Sequence, residues 1–470
     1  MKQAQPGTSR VRRSPSVRAG AAERISPWRL RALPWLLGFS SLACNSSPDS
    51  VRLEVYSWWR EQPEAWAFDQ VKNLHESLHP GVKVVNLGDA NATEVRPHVA
   101  QISLAGAPPA TFQANIGTDL LRWTVVDTQG SDEPGPNRIY GLSRLFARPG
   151  LDLQKHLPEA VLSGLRVGGS LEPYAVPINI HRLNVLYYNV SALAEAGPPP
   201  EGHESWLDRD LLCPQDPNAE RLPLSISLGA NDLFTLTLLV FENLLPALSG
   251  ADFYERLFLG NAESVVDWKD QVRAALHCAQ YLAKSLVDTD TNWEGAVEDV
   301  KSGRATLTVM GDWASGQLKT ELDHGRVKAI PFPGSEGIYV FTSDAFPLPV
   351  GAQYTPEAEE LLATIASREA QGRFSEEKGS IPARDDVELS PRDVERRRDF
   401  DDSMQVLATS GRFPPYYAQS DLNTKLLSML RSSAGASEVE AVVEELVALS
   451  PLLRRFQARL AQGPASVPEP

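Results

Sequence analysis

Basic side chains are scarce in this chain. Its 470 residues hold 60 Asp and Glu against 45 Lys and Arg, a formal net charge of −15. Residues 1–43 contain eight of the basic residues and a single acid, Glu23, so that segment carries +7 and the remainder carries −22. A body this acidic lacks the Lys and Arg clusters that neutralise phosphates, which excludes nucleic acid as its expected partner. The eight histidines are scattered without the spacing of a metal site, and no metal or other cofactor is expected. Nucleophile-elbow, P-loop and zinc motifs are also missing, so catalysis has no sequence anchor. Asp312 with Asp344 could be imagined as the carboxylate pair of a glycoside hydrolase, and nothing in the sequence sets their separation. No short-period repeat is visible.

The other shortage is cysteine, with only Cys44, Cys213 and Cys278. Cys44 follows a basic head and the apolar stretch Leu33–Ala43, which is too short to span a bilayer. A positive head, a short apolar stretch and small residues before a cleavage point make a secretory signal, over residues 1–43. Ser41-Leu-Ala-Cys44 resembles a bacterial lipobox, with its Leu one place later than usual, and the resemblance implies lipidation of Cys44. Residues 44–50 then form a polar tether. The expected location is therefore outside the cytoplasm, as a periplasmic, membrane-anchored lipoprotein. If Cys44 carries lipid, an even pair remains. In an oxidising compartment that pair is either a disulfide or two buried thiols.

A chain of this length exceeds one ordinary core, so two lobes are expected. Leu53-Glu-Val-Tyr-Ser-Trp58 alternates as a strand. Ala65–Leu78 reads as a helix, Val82–Leu87 as a strand, Val95–Ala105 as a helix and Ala110–Asn115 as a third strand. Strand–helix–strand order means parallel pairing in an α/β sheet. Tyr174–Asn189 is long and apolar and reads as a crossing between lobes. Leu224–Leu228 and Ala305–Met310 read as further strands, with helices between them. Ile338–Phe341 reads as a return to the first lobe, Pro356–Gln371 as one helix, and Val406 onward as mostly helical.

Six segments then carry a resemblance: Tyr56–Trp59, Pro108–Gln113, Val176–Arg182, Val309–Trp313, Thr342–Phe346 and Lys378–Ile381. In their order and approximate spacing, from about Leu53 to about Arg384, the chain resembles the extracellular solute-binding proteins of sugar importers of the ATP-binding-cassette type. It is most similar to the glucose/mannose-binding branch. The resemblance implies a periplasmic-binding-protein-like α/β fold, two lobes joined by a multi-crossing hinge. In this chain the N-terminal lobe would be 51–177 with 334–385, and the C-terminal lobe 178–333 with 386–470. It implies a monomer that captures a small sugar and delivers it to ABC permease subunits. It also places Cys213 and Cys278 where relatives carry a cysteine pair. The alternatives are a binding lipoprotein with an altered ligand, or a sensor.

Sugars present a hydroxyl rim and C–H faces, which proteins meet with polar side chains and aromatic rings. Trp58 and Trp59 follow a strand at the edge where open α/β sheets place ligands, and neighbours on a strand point to opposite sides. One can face the cleft while the other packs, or both are core. Gln113 and Asn115 end the third strand with the same orientation, suited either to sugar hydroxyls or to capping the next helix. Asp312 and Trp313 follow a strand end. Asp344 and Lys378 match family positions near the ligand, although Lys378 follows two glutamates and a solvated role is open to it. Asn179 and His181, with Arg182, lie in the crossing and are expected to line the hinge. The chain departs from the branch at Asn115, where relatives have His. It departs again near Asn231, where Asp232-Leu233-Phe234 replaces a Trp, and at Ser410-Gly411, where relatives have His-Gly. Asp232 is accordingly a candidate ligand contact. Phe253, Tyr254 and Trp293 are candidates for the missing aromatic wall.

Overall fold

A computed structural model describes residues 50–89, 92–125, 137–166, 170–196, 207–216, 219–258, 268–408, 419–431 and 436–462. The signal segment, Cys44 and Ser410-Gly411 lie outside the described residues.

Strand β1 (Val51–Tyr56) turns Leu53 and Val55 inward, and they are fully buried. It pairs in parallel with β2 (Val82–Asn86) and with β3 (Thr111–Phe112), in the order β2-β1-β3. Parallel neighbours need a crossover, and the helices Glu64–Leu78 and Ala92–Leu104 supply it. The first of these buries Ala67, Phe68, Val71, Leu74 and His75, a helical stripe facing the sheet. The third predicted strand is broken at Gln113, after which β4 (Ala114–Asn115) enters a different sheet.

Strands β5 (Val176–Pro177), β6 (Asn179–Arg182) and β7 (Val185–Asn189) follow one another in the predicted crossing. Strand β7 sits between β8 (Leu307–Val309) and β9 (Val327–Pro331), antiparallel to both. Then β10 (Ile338–Thr342), β11 (Asp344–Phe346), β12 (Ile381–Pro382) and β13 (Gln405–Ala408) complete two small sheets, ordered β12-β6-β10-β13 and β4-β11-β5. Strand β10 shows how the cores meet. Tyr339 and Phe341 face one hydrophobic core, built on Leu53 to Ile180 and on 339–400. Ile338 and Val340 face the other, which runs from Leu183 to Leu446. A strand alternates sides every residue, so one strand seals two cores.

Four expectations change. Leu224–Leu228 forms only isolated bridges, Ile226 to Leu286 and to Leu307. Pro223 offers no N–H on one side, and Gly229, at φ +59, turns the chain on the other. The single helix expected over Pro356–Gln371 is two, Thr355–Ile365 and Arg368–Lys378, because Ser367 is extended and its side chain caps the second by accepting from Ala370 N. Strand β13 interrupts a stretch read as helical, because its parallel register with β10 outweighs local propensity. Ile338–Phe341, read as a return to the first lobe, packs against two hydrophobic cores.

Cys213 and Cys278 form a disulfide, with Cα atoms 4.8 Å apart. It ties the short helix Arg209–Leu212 to the helix Trp268–Ala283, whose buried face packs in the second core.

Candidate ligand site

Beyond β1 the two tryptophans part. Trp59 is 2% exposed, with its ring 4.7 Å from that of Phe374 and 5.7 Å from that of Phe68. Its assignment as a ligand contact is therefore corrected: it is a core anchor, packed among Phe68, Phe346 and Phe374. Trp58 is half-buried, and the Arg96 guanidinium lies over its ring at 4.6 Å from the centroid.

Gln113 and Asn115 are buried. Gln113 accepts from Ser57 Oγ at 2.6 Å and from Trp58 N at 3.2 Å, and donates to Asp344 Oδ1 at 2.9 Å. Asn115 donates to the same Oδ1 at 3.1 Å and accepts from Arg96 Nη2 at 2.8 Å. These side-chain bonds run to Ser57, Trp58, Asp344 and Arg96, not to the N-terminus of the next helix. Asp344 reaches them because β11 pairs antiparallel with β4, setting Asp344 opposite Asn115. Its other oxygen accepts from Asn179 Nδ2 at 2.9 Å and lies 3.5 Å from His181 Nε2. Burial works against its charged form, but His181, Lys378 and Asn179 outweigh that and hold Asp344 below the ordinary carboxylate range. With both oxygens engaged by the protein, Asp344 is a hub that orients other groups.

His181 carries the network onward. Its Nδ1 bonds Asp312 Oδ1, while Asp312 Oδ2 accepts from Arg182 N at 3.0 Å. Burial opposes the imidazolium, and the Asp312 charge prevails, so His181 is raised above its usual value. Asn179, His181 and Asp312 are all buried, and the His181–Asp312 bond ties β6 to the turn that follows β8. Trp313 stands edge-on to His181 at 5.5 Å, and Phe234, 38% exposed, lies 6.3 Å from Trp313. Gly311 makes that placement possible: a Cβ there would fall 2.0 Å from the Trp313 ring.

Lys378 is neither solvated nor on Asp344. It is buried and donates to Glu64 Oε1 at 2.5 Å. Asp232 accepts from Trp293 N at 2.7 Å, an approach that needs Gly229, whose Cβ would lie 2.7 Å from Trp293 Cα. Burial raises Asp232 above the usual carboxylate range. Its neighbour Glu294 is pushed up to about 7, first by burial and then by the charges of Asp232, Glu61 and Glu64. Of the proposed replacement walls, Phe253 and Tyr254 are core residues and Tyr254 donates to Glu242; only Trp293 is half-buried.

The structure thus brings Trp58, Gln113, Asn115, Asn179, His181, Asp312, Trp313 and Asp344 into one connected array. Lys378 reaches His181 and Asp344 by charge alone, and Asp232 belongs to a separate group with Trp293 and Glu294. Arg96 was not anticipated. The signal available was an arginine beside Val95 and Val99, on the buried stripe of its helix. A surface groove of about 660 Å³, lined in part by Tyr188, Arg209, Lys328 and Glu336, contains none of these residues. Among the described residues His156, Asp385 and Asp386 form a group of metal-ligating type, but both oxygens of Asp386 are paired with Arg384.

Two lobes sharing crossing strands, with a polar array at the crossing, define a solute receptor of the periplasmic-binding-protein type. The chain belongs to the bacterial extracellular solute-binding protein family, whose pattern it matches over residues 141–398. It is 30% identical over 361 residues to an uncharacterized ABC transporter extracellular-binding protein of Pyrococcus horikoshii, covering 74% of this chain and 76% of that one. It is 28% identical over 352 residues to a probable sugar-binding periplasmic protein of Rhizobium meliloti, covering 74% and 79%. Among solved structures it superposes on the bacterial solute receptor AcbH, whose reported preference is β-D-galactopyranose. The TM-score is 0.65 at 15% identity, covering 85% of this chain and 100% of that one, a likeness of fold. These are binding proteins, not enzymes.

Proposed function

We propose that this chain captures a small sugar, mono- or oligosaccharide, between its lobes and delivers it to an ABC-type membrane importer. The observation that carries the reading is the half-buried Trp58, held to Gln113 and linked through Asp344 and His181 to Asp312 in one oriented amide and carboxylate array with Asn115. Trp58 would take a sugar face, and the amides and Asp312 its hydroxyls. Trp313 and Phe234 would close from the other side, with Lys378 and Glu64 at the margin. Asn179 and His181 would act at the hinge, between lobes divided as 51–177 with 334–385 and 178–333 with 386–470. Export by a signal segment over 1–43, a lipid on Cys44, a periplasmic location and a monomeric state belong to the same reading. The kinship with a probable sugar-binding periplasmic protein supports it.

A second reading keeps the capture and changes the solute. Asp232 and Glu294 stand where an aromatic wall was expected, which suits a ligand with more hydroxyls or a positive charge. Calorimetric titration of the mature chain with a panel of neutral sugars, amino sugars and disaccharides tests both. Saturable heat with a neutral sugar supports the first and with an amino sugar alone the second. No heat at millimolar concentration from any of them ends the sugar reading.

A further inference from the structure

We infer that Arg96 is a positioning residue for ligand recognition, locking the Trp58 ring and the Asn115 amide into one pre-organised unit. The inference rests on the proposed sugar site and goes beyond it by naming what holds the first-lobe half of that site in shape.

The geometry is a closed loop of bonds. Arg96 Nη2 donates to Asn115 Oδ1 at 2.8 Å, and Arg96 Nε donates to Asp119 Oδ2 at 2.9 Å. The same Asp119 oxygen accepts from Asn115 N at 3.0 Å. The guanidinium therefore holds Asn115 by its side chain and, through Asp119, by its backbone. Its Cζ meanwhile lies over the Trp58 ring, 4.6 Å from the centroid. All three members, Arg96, Asn115 and Asp119, are buried, so water does not compete for the bonds.

Two consequences for a ligand follow. The amide of Asn115 cannot flip, because its oxygen is taken by a cation that has no acceptor. Position 115 therefore offers a ligand only N–H, and one of those hydrogens is already directed to Asp344. Trp58 has one ring face covered by the guanidinium, so a solute can stack only on the other. Ring and donor are thereby fixed relative to each other, and a sugar is selected by whether an acceptor oxygen sits at that offset from its apolar face. Only a planar fork meets Asn115 and Asp119 at once; a lysine ammonium keeps the charge but loses the paired geometry.

The test is Arg96→Lys in the full chain labelled with 5-fluorotryptophan, with the Trp58 fluorine resonance assigned by its loss in Trp58→Phe. We expect the Trp58 resonance to shift and broaden in the unliganded protein while that of Trp59 stays in place. We also expect affinity for the best sugar to fall at least tenfold and the preference between sugars epimeric at one hydroxyl to flatten. An unmoved Trp58 resonance, or an affinity loss equal for every sugar with all tryptophan resonances perturbed alike, would overturn the inference. If the native chain binds no sugar, the functional reading fails, and the fluorine spectrum still decides whether Arg96 positions Trp58. Should Arg96→Lys fail to fold, Asn115→Ala takes its place: it leaves the Arg96–Asp119 pair intact and is expected to move the Trp58 resonance, and no movement overturns the inference.

Discussion

The two sides of the proposed site are built on opposite principles. On the first-lobe side, Gln113, Asn115 and Asp344 are buried and bonded to one another, to Ser57 and to Arg96. Across from it, Asp312 is buried and bonded to His181 and Arg182, but the separate group of Asp232, Trp293 and Glu294 is half-buried, Phe234 is exposed, and Glu294 is pushed up to about 7 by burial and by neighbouring acids. One half is fixed before a ligand arrives, and its cost in ordering is met during folding. The other is electrostatically unrelieved, and a ligand, a proton or closure changes it most. Pre-organised donors raise affinity by sparing ordering cost on binding, while adaptable groups set what else the site accepts.

The sharpest way to break this contrast is to make the same change on both sides. Asp344→Ala removes a buried charge with both oxygens engaged, and we expect a loss of about 3–5 kcal/mol of stability. Asp232→Ala removes a half-buried acceptor with one bond, and about 1 kcal/mol is expected. Equal losses in denaturant titrations would dissolve the distinction. Next in size is Gly311→Ala. Its methyl meets the Trp313 ring, and overpacking of this kind costs about 1–3 kcal/mol. Because the ring can escape by moving, we expect the damage to show as weaker ligand binding more than as lower stability; unchanged affinity would remove Trp313 from the site. The smallest effect belongs to Glu294. Its folded value, about 7, lies above that of an unfolded glutamate, so its contribution is intact in acid and lost as pH rises toward 7. Glu294→Gln should therefore leave stability unchanged at pH 4 and raise it at pH 8. The gain expected is about 1 kcal/mol after allowance for solvent screening. A gain of equal size at pH 4 would show that charge is not the cause.

How much of this was readable beforehand depends on the range over which each feature acts. The alternation at Leu53 and Val55 follows from strand geometry over a few residues, and the parallel order of the first three strands from the strand–helix–strand order. The split of Pro356–Gln371 had a local mark in Ser367 that the apolar periodicity concealed. Strand β13 had none, since four residues of Gln-Val-Leu-Ala become a strand only through β10. Inside the site, the residue types at 113, 115, 312 and 344 were legible as polar groups at strand ends. Their division of labour was not. That Asp344 is consumed by Gln113, Asn115 and Asn179 depends on the antiparallel β4–β11 register, a contact between residues 229 apart. Lys378 read as a residue near the ligand, with a solvated role open to it because Glu376 and Glu377 precede it. Its burial against Glu64 crosses 314 residues of sequence. Arg96 gave only the oddity of a charge on an apolar helix face.

The most direct test of the central claim is calorimetric titration of the best-bound sugar against the native chain and Trp58→Ala under the same conditions. The account predicts saturable one-site binding to the native chain and a loss of at least tenfold in affinity for the variant, at a temperature where circular dichroism shows both chains folded. Binding of equal strength to both would place the solute away from Trp58 and contradict it.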